Sequence, residues 1–224
     1  MVGKFIECEV PPSKKEQFSN AQEAWSGTIS SRGFNGQVGG WSAQGTTAFI
    51  FAIWEDMESL DLFMASRHDS ISAKSQQTGT FNRITVSLMK EVMAIPSFVN
   101  SVARIGSEIG FVRVSDCRMR PTVDDKFIQE QMPIWSPETA DHKGTLGGFV
   151  WQSISDPRRY LTTSFWGSEE HHKAYIKDLP ARISTNSDIR GHIASISEHL
   201  FITEPNWTVM PRPMDDAGQT RGQS

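Results

Sequence analysis

The sequence predicts an α+β fold in which one βαββαβ unit is used twice, the two copies closing a barrel within a single chain. Three observations predict it. The apolar run AFIFAIW at residues 48–54 returns as YLTTSFW at residues 160–166, an offset of 112. The same offset carries Phe63 onto Tyr175, Ile71 onto Ile183, Gly79 onto Gly191 and Ile84 onto Ile196. Upstream it shrinks to 109 for Cys8 and Cys117 and for Phe18 and Phe127, and to 110 for Trp25 and Trp135. One or two loop insertions account for that drift.

Taken in order, residues 4–10 alternate Ile6, Cys8 and Val10 with Glu7 and Glu9, the period of a half-buried strand. Pro11-Pro12 ends it, and Ser13 with Glu16 has the spacing of a capping box. Phe18, Ala21, Gln22 and Trp25 then share one helical face. After a turn-rich loop, residues 34–41 form a glycine-laden strand in which Gly39-Gly40 suggests a bulge or a close backbone approach. Residues 46–54 are apolar enough to be buried on both faces. Glu55-Asp56 favour a helix start, which Leu60, Phe63 and Met64 continue inward, and residues 81–89 supply the last strand. Strand, helix, strand, strand, helix, strand is the ferredoxin-like order. The second copy repeats it with a strand at 111–119, a helix at 121–135 and strands at 147–151 and 160–166.

The expected domains are a first unit at 1–93 carrying the site, a linker at 94–107, and a degenerate second unit at 108–204. An arm packing through Trp207 and a disordered tail make up 205–224. Each unit alone would leave one sheet face bare, and two joined copies can cover those faces across a pseudo-twofold axis.

Composition narrows the function. A net charge of −4 and a pI near 5.9 give no reason to expect nucleic acid or an anionic membrane as partner. No apolar run approaches the roughly 20 residues that span a bilayer, and the N-terminus lacks a signal-peptide core. The two cysteines sit at equivalent repeat positions outside any metal-ligand motif, which points to a reducing, cytoplasmic setting. There is no Walker loop, no dinucleotide fingerprint and no G-x-S-x-G. The expected partner is a small molecule, with homodimerisation of the fused barrel left open.

The segments KFIECEV, Trp25-Ser26, GFNGQVGGW, Trp54-Glu55 and FMASRHD resemble the YdbC-like domain of unknown function, within the dimeric α+β barrel superfamily. The resemblance covers residues 2–92, and the second half only through the repeat. It implies a ligand pocket between sheet and helices, and relatives that include cofactor-free monooxygenases of the antibiotic-biosynthesis type, haem-degrading enzymes, lyases and isomerases. A cofactor-independent monooxygenase (an oxidoreductase) acting on an aromatic, quinol or polyketide-like substrate is the leading expectation, with no cofactor and no metal. A lyase, isomerase or cyclase using the same pocket, or a non-catalytic binding protein, stays open. Haem-degrading relatives place their axial His about nineteen positions beyond the Trp that ends the third strand. Here those positions are Ala73 and Thr185, neither a ligand.

His68 is the sharpest catalytic candidate, since a His beside a carboxylate, here Asp69, can act as a general base. Adjacent helical residues do not face each other, however, and a surface helix break with Asp69 capping the following turn is the competing explanation. The repeat places these two on Pro180 and Ala181, so the second copy lacks both. Trp25, Trp41 and Phe51 are expected to hold a flat substrate, and Asn35 and Gln37 to orient its polar group. Core packing and a solvated strand face are the competing explanations for these five. The repeat aligns Trp41 with Trp151, and Glu7 with Asp116, two acids that could face each other inside the barrel although a carboxylate pair is the minor reading. The histidines at 142, 171, 172, 192 and 199 show no spacing that converges on one ion, and read as a solvated face.

Overall fold

Strand β1 (Val2–Glu9) lies at the middle of the first half. It pairs antiparallel with β3 (Thr47–Trp54) on one side and β4 (Arg83–Ala94) on the other, and β3 pairs in turn with β2 (Phe34–Ser42). In the second half β5 (Phe111–Met119) lies between β7 (Arg159–Trp166) and β8 (Ile193–Thr203), with β6 (Thr145–Ser153) beyond β7. The order β4-β1-β3-β2 thus returns as β8-β5-β7-β6, and the seams β2–β8 and β4–β6 close an eight-stranded antiparallel barrel. The structure is a computed structural model and describes residues 1–43, 45–95, 106–121, 142–183 and 192–211. Residues 96–105 of the predicted linker, all but the first residue of the predicted first helix of the second unit, Thr185 and the tail beyond residue 211 lie outside them.

Local geometry repeats as well. Gly33 and Gly36 have φ of 68° and 139°, and Gly144 and Gly147 have φ of 87° and 111°, values that favour glycine. Each pair precedes or sits in a bulge, between Phe34 and Gly36 in β2 and between Thr145 and Gly147 in β6. Cys8 and Cys117 hold matching registers, opposite Ala48 and Ile84 in one case and Tyr160 and Ile196 in the other.

Strand alternation sends one face of each strand into the barrel and the other toward the helices. Phe5, Phe49, Phe51, Met89, Val112, Val114, Trp151, Leu161, Phe165 and Phe201 fill the interior. Trp151 packs on Phe149 and Phe51 and donates from Nε1 to Thr163 Oγ1 at 3.0 Å. The register corrects its pairing with Trp41. Trp151 faces Leu161 across its ladder as Gly40 faces Phe49, whereas Trp41 faces Ala48. A slip of one residue moves a side chain to the other face. Gly40 itself lies on the β2–β8 seam, where a Cβ would overlap the Ile202 carbonyl.

Glu7 and Asp116 do point inward, but not as a carboxylate pair. Asp116 accepts from Arg159 Nε and Nη2, at 3.0 and 2.7 Å, and Arg159 also donates to Ser87 of β4 at 2.8 Å. Glu7 lies 3.3 Å from His199 Nδ1. Each acid has found a base, because two unpaired carboxylates inside the barrel would repel, and the Glu7–His199 and Arg159–Ser87 contacts tie the halves together.

Helices α1 (Lys15–Gln22), α2 (Met57–Phe63) and α3 (Asp69–Ser75) cover the outer face of the first half, and α4 (Glu169–Ile183) lies on the second. The Ser13 capping box does not form: Pro12–Lys14 is a tight 3₁₀ turn, and α1 begins at Lys15 with no side-chain cap. At α2 the Asp56 carboxylate accepts from Ser59 N at 2.8 Å, and that bond holds its pKa below the usual range. After β8 the chain returns to the first half. Trp207, fully buried, packs edge-to-face against Phe18 and Trp41, and Val209 bridges to Gln37 of β2. Among the described residues no helix is long and apolar enough to cross a membrane.

Candidate functional site

The outer face of the first half does not meet its helices everywhere. Between them lies a cavity of about 390 Å³, floored by Lys4, Ile6 and Cys8 of β1, Ile50, Ala52 and Trp54 of β3, and Ile84, Val86 and Leu88 of β4. Phe18, Gln22, Trp25, Thr28, Leu60, Phe63, Met64 and His68 wall it from the helical side. Ile84 and Val86 are 44% and 47% exposed, an apolar floor that a ligand would cover.

The helical wall is irregular where it matters. Between α2 and α3 the chain makes one π-helical turn, Met64–His68, and such turns re-aim side chains. This one brings His68 over Trp25 and against Phe63, with ring centroids 5.4 and 6.0 Å away. The His68 Nδ1 lies 2.9 Å from Asp69 Oδ1 even though the two are neighbours in sequence. Asp69 is almost wholly exposed, while the His68 side chain is 23% exposed. Nδ1–H donation to Asp69 would leave Nε2 as an acceptor, the tautomer a general base needs.

Of the other predicted residues, Trp25 and Gln37 line the cavity, though neither is free. Trp25 Nε1 and Gln22 Nε2 both donate to Gln77 Oε1 at 3.2 Å, and Gln37 Nε2 donates to the Trp207 carbonyl at 3.1 Å. Trp41, Phe51 and Asn35 are not at the cavity. Phe51 points into the barrel because it pairs with Phe5, whose side is the interior, and Trp41 is packed between Phe18 and Trp207. Asn35 falls at the β2 bulge, which breaks the alternation that would have aligned it with Gln37.

Sequence reasoning passed over Lys4. Its side chain shares the outer face with its register partners Ala52 and Leu88, and Nζ makes only a long 3.5 Å contact to Met64 Sδ. Burial lowers its pKa from that of a free lysine. Cys8, also at the cavity, is no nucleophile: burial, with Glu7 adjacent, pushes its thiol up to about 12.

The second half differs at one matching wall position. His172 stands where the repeat has Leu60, is 4% exposed, and packs against Phe111, Trp166 and Tyr175. This corrects the solvated-face reading for His172. Its Nε2 is buried without a partner, and burial, with Arg113 nearby, lowers its pKa to about 4. The unfolded chain therefore binds a proton between pH 6.5 and 4 that the native state refuses. Stability from this group is whole above pH 6.5 and is lost as pH falls toward 4. At pH 5 the loss is about 2 kcal/mol. Urea unfolding at pH 7 and pH 5 should show it, and His172→Leu should flatten the difference.

Among the described residues no three His, Cys, Asp or Glu side chains gather as a metal site. The position corresponding to a haem ligand, Ala73, lies exposed on α3 and offers no donor. The residues present do not fit that mode of haem binding.

A closed antiparallel barrel with a sheet-to-helix cavity defines an α+β barrel protein of ferredoxin-like topology. An anthrone oxidase-like protein shares this fold, with a TM-score of 0.68 at 12% identity over 97% of this chain and 96% of its own. A candidate monooxygenase of Lactobacillus acidophilus shares it at a TM-score of 0.67 and 11% identity, over 93% and 95%. Residues 2–89 match DUF4937, a domain of unknown function. The uncharacterised protein YdbC of Bacillus subtilis (strain 168) is 35% identical over 94 residues, 41% of this chain and 79% of YdbC. The chain belongs to this YdbC-type DUF4937 family.

Proposed function

We propose that the protein is a cofactor-independent monooxygenase for a flat aromatic, quinol or polyketide-like molecule, with one working cavity in the first half and a degenerate copy in the second. The observation that carries this reading is an imidazole at the wall of a largely apolar cavity, bonded to the exposed carboxylate of Asp69. The fold shared with an anthrone oxidase-like protein supports the same class. The repeated strand order and paired bulges support the tandem reading, in which the halves relate as two subunits of a dimer would. Two free, buried or half-buried thiols suit a cytoplasmic setting.

In this mechanism His68 Nε2 takes the proton of a phenol-like hydroxyl or of the CH₂ of its keto form. Asp69 holds the resulting imidazolium, and Trp25 stacks on the ring. The electron-rich anion then reduces O₂ itself. One oxygen atom enters the ring carbon as a carbonyl, and the other leaves as water with the two hydrogens of the CH₂. The apolar walls keep bulk water from the anion.

The test is incubation with reduced anthrones and quinols under air, under nitrogen and under ¹⁸O₂. Product that forms only with oxygen and carries one labelled atom is expected. Equal product without oxygen would assign proton-only chemistry, as in a lyase, isomerase or cyclase, to the same cavity. Saturable binding with no product would make the protein a carrier.

A further inference from the structure

Two groups in the wall of the first-half cavity lack the partners that their counterparts in the second half possess. Lys4 corresponds in register to Arg113: Lys4 faces Ala52 and Leu88, and Arg113 faces Ser164 and Leu200. Arg113 is neutralised, because its guanidinium pairs with Glu198. Register puts Val86 where the second half has Glu198, since Ile6 faces Val86 as Ser115 faces Glu198. Lys4 makes no ion pair among the described residues; its ammonium contacts only the Met64 thioether.

The second group is the indole of Trp54. Its counterpart Trp166 donates from Nε1 to Ser164 Oγ at 3.0 Å. The matching position in β3 is Ala52, so the buried Trp54 Nε1 has no acceptor. Both differences leave a donor without an acceptor in the first half, and of the two the Lys4 ammonium is the one at the cavity, the Trp54 Nε1 being buried behind it. The Lys4 ammonium stands among Ile6, Ala52, Leu88 and Val86, and Asp61, the carboxylate that also lines the cavity, makes no ion pair with it among the described residues, so the wall favours a ligand that brings the missing negative charge.

We propose that the cavity recognises a flat apolar ligand bearing an anionic oxygen, an aromatic carboxylate or an ionised phenol or enol, and that Lys4 is its counter-ion. This rests on the cavity of the proposed function being a ligand site, and it names the substrate class. Lys4 would hold the anion that proton removal creates, opposite the imidazole that removes the proton. The second half, with its acid built in at Glu198, has no need of an anionic ligand.

The probes are 2-naphthoate and the neutral 2-naphthamide, alike in shape, titrated calorimetrically into the full chain. Naphthoate should bind about 10- to 100-fold more tightly, the usual worth of a hydrogen bond to a charged group. Lys4→Met should erase that preference, naphthoate losing far more affinity than naphthamide. Val86→Glu, which installs the second half's acid, should erase it too. Equal affinity of the wild type for both probes, or a preference that survives Lys4→Met, would overturn the counter-ion and leave the cavity standing. Binding of neither probe would overturn both.

Discussion

His68→Ala should lower kcat/KM on a confirmed substrate by about 10²- to 10⁴-fold, the usual worth of a positioned base. Folding should be little affected. The ring is one wall of an open cavity, and the turn that carries it is fixed by Leu60, Phe63 and Ile71 of the flanking helices. Asp69→Asn should give a smaller loss, because the amide can still hold the ring but no longer supports a charge on it. Steady-state rates of the three proteins on one substrate, with thermal melts as control, decide the matter. Wild-type turnover by His68→Ala would remove this residue from the chemistry and return attention to Lys4.

Trp207→Ala should cost about 3–5 kcal/mol of stability, as removing a fully buried large aromatic does. The indole lies 5.1 Å from Trp41 and 5.6 Å from Phe18, and donates from Nε1 to Ser19 Oγ at 3.2 Å. Its carbonyl also fixes the Gln37 amide beside the cavity. Loss of the ring should therefore loosen β2 and α1 together, although the residue belongs to the end of the chain. Trp207→Phe should recover most of the loss, falling short by the Ser19 bond, about 1 kcal/mol. Equilibrium unfolding in urea measures both, and a change below 1 kcal/mol for Trp207→Ala would mean that the arm is not anchored.

The α+β barrel was legible because two similar apolar runs each marked a strand. AFIFAIW and YLTTSFW became β3 and β7, and the offset between them also predicted the equivalent cysteines. What could not be read was facing. A strand such as TAFIFAIW, buried on both sides, carries no polar mark to show that Phe51 enters the barrel while Ile50 and Ala52 line the cavity. Bulges then defeat counting: one residue separates the true counterpart of Trp151, Gly40, from the tempting one, Trp41. Adjacent helical residues ordinarily diverge, so the contact between His68 and Asp69 depended on a π turn that has no sequence signature here. Lys4 did have a signal. The offset of 109 sets it on Arg113 and that of 112 sets Val86 on Glu198, and the missing acid could have been noticed from those letters alone.

The closing of the barrel by its last strand has a consequence for synthesis. β2 and β4 are complete once residue 94 has been made, yet their partners β8 and β6 arrive only after residues 193 and 145. During elongation the nascent first half offers two open strand edges, one of them bearing exposed Ile84 and Val86. Unpaired edges of this kind invite pairing with other chains, and contacts between residues so far apart form slowly. The ribosome thus holds a half-barrel that is sticky until β6 and β8 are made. Two copies on separate chains would each meet a finished partner, whereas this first half must wait for strands of its own chain.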